Sequence, residues 1–207
     1  VTAATRLRFD GVTRAVHWAT AVLGGVALVT GTILYVPEFS AAIGLRAVLK
    51  ELHVVASLLL AVPVAVGAAS GPAGRRLRAD LVELSRWTGA DRRWLRRRSR
   101  GAPAGKFNGG QKLVTAMFGG FFAMQLASGS VMYWNEPFPN SWRTGATFVH
   151  DWAYIGLALA VLGHVAKAIG EPELMRSMVR GTVPREWAAR ERPTWPVDDT
   201  PARRGSH

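Results

Sequence analysis

The sequence predicts an all-α polytopic membrane protein, a four-helix bundle with short interfacial helices. Three observations predict it. Nearly half of the 207 residues (49%) are hydrophobic. They gather into four blocks, at about 15–35, 52–69, 113–134 and 146–169, and the basic residues fall almost entirely in alternate segments between those blocks. A helix rising ~1.5 Å per residue needs about 20 apolar residues to cross a hydrocarbon core of ~30 Å, and each block is near that length. One domain is expected over 1–195, followed by a mobile tail over 196–207 whose Pro, Asp and Arg content cannot build a core.

The first block runs past Gly24 and Gly31 without a convincing small-residue cleavage site and exceeds the apolar core of a signal peptide, so it reads as a retained span. The connection Val36 to Glu51 holds a Pro-Glu turn and an apolar-basic piece before the second span. In the long segment 71–111, Leu77, Leu81, Leu84 and Trp87 recur at helical spacing among arginines, which describes an amphipathic helix on the membrane surface; Gly101 to Gly110 breaks it. Between spans three and four, Asn135 to Gly145 carries Pro137 and Pro139, flanked by Trp134 and Trp142 as an aromatic belt. Beyond span four, Leu174, Met175, Met178 and Val179 suit another interfacial helix, and Val183-Pro184 opens a last one.

A net charge of +12 would point to nucleic acid in a soluble protein, but its distribution has a different meaning here. Of 26 Lys and Arg residues, eleven lie between Gly71 and Gly110, seven lie beyond Ile169, and Arg6, Arg8 and Arg14 precede or open the first span. The other two connections hold only Arg46, Lys50 and Arg143. The positive-inside rule therefore places both termini and the long segment in the cytoplasm. The run RRWLRRRSR serves topology and contact with anionic lipid, not nucleic acid. The chain has no cysteine, which excludes disulfides, thiolate-held iron-sulfur clusters and thioether-linked haem.

Four of the five histidines, His17, His53, His150 and His164, lie inside or at the edge of a span, where ionisable residues are costly enough to be functional candidates. Span one runs outward from His17, span two runs inward from His53, and span four runs inward from His150 to His164. His17 and His164 thus share the inner depth, and His53 and His150 the outer. Fourteen residues of helix rise ~21 Å and return within ~40° of the starting direction, so His150 and His164 project from nearly one face at two levels. That geometry suits two stacked b haems, each held by two imidazoles, with the outer pair His53 and His150 and the inner pair His17 and His164. Such a haem has no open coordination position and passes electrons. Gly31 and Gly67 lie fourteen residues after His17 and His53, where a porphyrin is expected to press against backbone. A histidine-lined proton path or a metal transporter would call for acidic partners within the spans, and only Glu51 and Asp151, at the outer edge, are available.

The four histidines on spans one, two and four, the stretch GKFNGGQK at Gly105 to Lys112 and the C-terminal GTVPREWAARERPTW resemble the cytochrome b (gamma) subunit of membrane-bound formate dehydrogenases, a di-haem cytochrome b. The likeness runs from Arg8 to about Trp195. The histidine spacing is shared with the cytochrome b subunits of hydrogenases and thiosulfate reductases, and K-F-N-x-G-Q-K is what points to the formate branch. The resemblance implies a bacterial inner-membrane subunit that does not itself oxidise formate. A molybdenum or tungsten alpha subunit does that, an iron-sulfur beta subunit relays electrons, and this chain carries them through two haem b groups to a quinone, menaquinone being the expected one. It places the quinone beside the inner haem, making Asn108, Gly110 and Gln111 candidates; Asn108 and the glycines equally suit a turn that caps span three. The family often has a His-His-Pro element where this chain reads Arg190-Glu191-Arg192-Pro193. Two alternatives stay open: the same cytochrome serving a hydrogenase or another molybdenum oxidoreductase, and a haem-free membrane anchor.

Overall fold

Asp10 starts the first long helix by accepting a hydrogen bond from the Thr13 amide at 2.8 Å, which satisfies one of the free donors of the first turn. The computed structural model describes residues 4–96, 104–134 and 136–196. A short strand, β1 (Thr5–Leu7), leads into α1 (Gly11–Tyr35), followed by α2 (Pro37–Ile43), α3 (Arg46–Leu59) and α4 (Val62–Ala69). The surface helices α5 (Arg75–Ser85) and α6 (Gly89–Arg96) precede α7 (Gly109–Tyr133) and α8 (Asn140–Ile169), and α9 (Pro172–Arg180), β2 (Thr182–Pro184) and α10 (Arg185–Glu191) end the described chain.

Among the described residues, four segments are long and apolar enough to cross a membrane: α1, α3 with α4, α7 and α8. The second span is broken at Leu60-Ala61, where Pro63 in the first turn of α4 has no amide to continue the helical ladder. Each helix begins before its apolar block, and at α1 and α7 the side-chain caps of Asp10 and Asn108 fix the start. Trp142 consequently lies in α8 and not in the connection.

The spans form two hairpins. α1 packs along α3 and α4, and α7 packs along α8, whereas the hairpins make no comparably extensive approach to each other along the spans. Very little of any span is buried by protein, at most 11% of its most apolar stretch, so most of each span faces lipid or the inter-hairpin space.

The buried residues gather instead at the basic end. β1 and β2 pair antiparallel with Arg6 opposite Val183, whose side chain is fully covered. Gly181, in the left-handed region at φ 84°, turns its carbonyl to accept from the amides of Arg8 and Phe9. This small sheet was not foreseen: Thr182 to Pro184 is a strand, and α10 starts after Pro184. α5 buries Leu77 as expected, but ends at Ser85, leaving Trp87 outside it. Of the predicted tail, only Pro196 lies within the described residues, as does only the first half of RRWLRRRSR, which extends α6.

Candidate functional site

α8 is the axis of the site. It is one unbroken helix, so His150 and His164 stand about 21 Å apart along it, at ~1.5 Å per residue. At the end of the bundle remote from the basic segments, here called outer, the His150 ring faces His53 of α3 with centres 6.3 Å apart. At the inner end the His164 ring faces His17 of α1, also at 6.3 Å. The fold thus brings the four histidines together in the two pairs that depth alone predicts, each pair spanning the space between the hairpins.

Ring centres 6.3 Å apart leave the facing nitrogens beyond hydrogen-bonding reach. Two imidazoles sharing one metal ion at about 2 Å from each bonded nitrogen would have ring centres about 6 Å apart. The donor set therefore fits a group held by one nitrogen from each side. Among the described residues no cluster of three or more His, Cys, Asp or Glu stands ready for a bare metal ion. A macrocycle that brings nitrogens of its own would need only the two imidazoles that each pair offers.

The outer imidazoles have a defined tautomer. Thr30 Oγ1 donates to the Val26 carbonyl at 2.7 Å, and Ser128 Oγ donates to the Met124 carbonyl at 2.6 Å. With its only proton so placed, each hydroxyl acts as acceptor toward the histidine: Nδ1–H of His53 donates to Thr30 Oγ1 at 3.2 Å and to the Ala27 carbonyl at 2.9 Å, and Nδ1–H of His150 donates to Ser128 Oγ at 3.1 Å. Nε2 is then the unprotonated nitrogen of both rings, the one left with a free lone pair. The inner imidazoles rest on aromatic edges instead, His17 against Trp18 and His164 against Phe118.

The glycine expectation is corrected at Gly67. Gly31 does lie at the outer level, but a Cβ there would stand 3.1 Å from Cε1 of His53; at Gly67 it would meet Val16 and Leu77 at 2.4 and 2.8 Å. At Gly67 protein side chains take the space the glycine leaves, whereas at Gly31 the only atoms among the described residues that a Cβ would meet within 4 Å belong to the His53 imidazole. Gly129 repeats the Gly31 role, 3.2 Å from Cε1 of His150. Sequence reasoning missed Thr30, Ser128 and Gly129, although the signal is legible: Thr-Gly-Thr at 30–32 of span one and Ser-Gly-Ser at 128–130 of span three.

Asn108 and Gln111 form a reciprocal cap on α7, each side-chain oxygen accepting the other's amide at 2.9 and 3.1 Å. Gly110 is required by packing, since a Cβ there would meet the Trp94 ring at 2.7 Å. A cleft of about 490 Å³ opens beside this turn, lined by Asn108, Lys112, Trp94, Glu83 and Arg86 among others; neither Gly110 nor Gln111 lines it. Lys112 is held there by the Asp91 carboxylate and the Arg86 carbonyl, both at 2.9 Å. Burial alone would raise the Asp91 carboxyl, but hydrogen bonds from Lys112 and Thr88 hold it below the usual range.

Four apolar helices carrying two facing imidazole pairs define a membrane cytochrome of the b type. The prokaryotic cytochrome b561 family matches residues 8–181, and the chain belongs to that family. Its members bind haem b, and the chain is a multi-pass membrane protein with a haem b electron-transfer role. Comparison with curated proteins finds no match.

Proposed function

We propose that this chain is the electron-transfer subunit of a membrane-bound formate dehydrogenase, holding two haem b groups and delivering electrons to a quinone at the basic end. The observation that carries the two-haem reading is the pair of 6.3 Å imidazole separations on one continuous helix. His53 and His150 hold the outer group, His17 and His164 the inner. Haem b would supply a one-electron couple at each level; the protein would supply one imidazole nitrogen from each side and a low-dielectric path.

The positive-inside rule puts the basic end, and with it both termini, in the cytoplasm. Reducing a quinone takes two electrons and two protons, and the turn at the start of α7 is the place proposed for it. There the Asn108 amide N–H groups, outside the capping bonds, are free to meet a quinone carbonyl, while Gly110 and Gln111 shape the turn. The likeness of GKFNGGQK to the formate branch supports an iron-sulfur beta subunit and a molybdenum or tungsten alpha subunit as partners. Membership of the broader cytochrome b561 family equally accommodates a hydrogenase or another molybdenum oxidoreductase, and the large subunit that co-purifies decides between them.

The test is a reduced-minus-oxidised spectrum with haem quantification on the wild type, His53→Ala and His164→Ala. Two haems per chain, a different one lost in each variant, is the expected result. A well-folded wild-type chain without haem would leave only a membrane anchor.

A further inference from the structure

The seats of the two outer imidazoles are built alike on different hairpins. In α1, Thr30 returns its proton to the carbonyl four residues earlier and accepts Nδ1–H of His53; in α7, Ser128 does the same and accepts Nδ1–H of His150. A glycine follows each hydroxyl residue and lets the imidazole edge lie close to the helix, at 3.1 and 3.2 Å from the missing Cβ. Among the described residues no hydroxyl or carbonyl is hydrogen-bonded to the imidazole of His17 or His164, whose neighbours are the rings of Trp18 and Phe118. The two levels therefore differ in one chemical respect. Both outer ligands are hydrogen-bond donors at Nδ1, and neither inner ligand is.

We propose that Thr30 and Ser128 are positioning residues that lower the reduction potential of the outer haem below that of the inner one. A hydrogen bond donated from Nδ1 makes Nε2 a stronger electron donor, which favours the higher charge on a bound metal. The same bond holds the plane of the ring. An electron shared between the two levels resides preferentially at the inner one, toward the basic end. The inference rests on the assignment of His53 and His150 to one haem and His17 and His164 to the other.

Each outer imidazole also has a backbone carbonyl as partner, Ala27 for His53 at 2.9 Å and Gln125 for His150, so each hydroxyl is one of two acceptors, and Ser128→Ala and Thr30→Val have effects of the same order. Ser128→Thr keeps the hydroxyl and restores the wild-type value. Ser130→Ala removes a hydroxyl that bonds the Leu126 carbonyl on the exposed side of the same helix, and leaves both potentials unchanged.

The experiment is a redox titration of the haem bands in the purified membrane protein. The expected wild-type result is two one-electron components, the lower one lost in His53→Ala. In Ser128→Ala that lower component moves upward by about tenfold in its oxidised-to-reduced ratio, about 59 mV for one electron. Thr30→Val moves it in the same direction and to a similar extent, and the higher component stays in place. Two intact components that do not move in Ser128→Ala, or movement of the higher one, would overturn the inference while leaving the two-haem reading standing. A single component that survives His53→Ala would overturn both.

Discussion

The membrane bundle and the cap at its basic end are held together in different ways. In the cap, charged and apolar side chains are buried against one another: Lys112 with Asp91, Lys106 with Asp80 at 2.7 Å, and Arg8, only 2% exposed, between the rings of Phe9 and Trp187. In the bundle the spans bury almost nothing, and the hairpins meet through side chains such as Thr32 and Tyr154, whose hydroxyls lie 2.7 Å apart. Lipid replaces water around the bundle, so apolar surface there gains little from contact with protein. The cap faces water and must bury what it can. The lesson is that most burial by protein marks the cap, while the paired histidines stand in spans that protein covers only in part.

That contrast predicts a graded set of effects. The largest is His164→Ala, which removes one of the two imidazoles proposed to hold the inner haem and should abolish that haem outright. The cap should remain folded, as limited proteolysis of the basic segments would show; cleavage there as fast as in denatured protein would break the separation of the two regions. Next is Asp91→Ala, which strands the Lys112 ammonium, 5% exposed, and should destabilise the cap by about 3–5 kcal/mol. Thermal unfolding should report the loss without a change in the haem spectrum. Val183→Ala, deleting two carbons from a side chain with no exposed surface, should cost about 2 kcal/mol. Leu162→Ala on the lipid face, 66% uncovered by protein, should change stability by no more than about 0.5 kcal/mol.

Acid sharpens the comparison inside the cap, because two carboxylates buried there, Asp91 and Asp80, are shifted in opposite directions. Asp91 is held below its ordinary value, so its contribution is present above the unfolded value of about 4 and is lost as pH falls through the lower folded one. Asp80 is pushed up, chiefly by burial and against the pull of Lys106. The folded protein thus takes up its proton before the unfolded chain does, and stability from this group rises as pH falls through that window. Asp91→Asn should flatten the acid side of a stability profile and Asp80→Asn should steepen it; a shift of both in one direction would show that the cap titrates as one unit. Arg8 behaves differently again: burial and then the charge of Arg192 pull it down to about 9, so its charged form is a cost the cap carries at neutral pH.

How much of this was legible in the chain depends on the kind of signal. Four spans, the interfacial helix around Leu174 and the pairing of four histidines by depth all follow from periodicity and rise per residue, which are local. The Asn108 cap was legible as one of two readings, and the fold shows it made, alongside a cleft that the turn helps to line. The β1–β2 pairing was not legible, because strands of three residues joined across most of the chain leave no local pattern. Gly67 was misread for a related reason. Fourteen-residue spacing fixes its level in the membrane, but the break after Leu59 and the packing of α5 decide which way it faces.

By itself the sequence determined the membrane class, the number of spans, the absence of any thiolate chemistry and which histidines share a depth, since each follows from hydropathy, composition and helical rise. Only the tertiary structure decided that the facing imidazoles stand 6.3 Å apart, that hydroxyls of the other helices set the outer tautomer, and that the buried core lies at the basic end. Those are distances between segments far apart in the chain, and they exist only once two hairpins have been placed against each other.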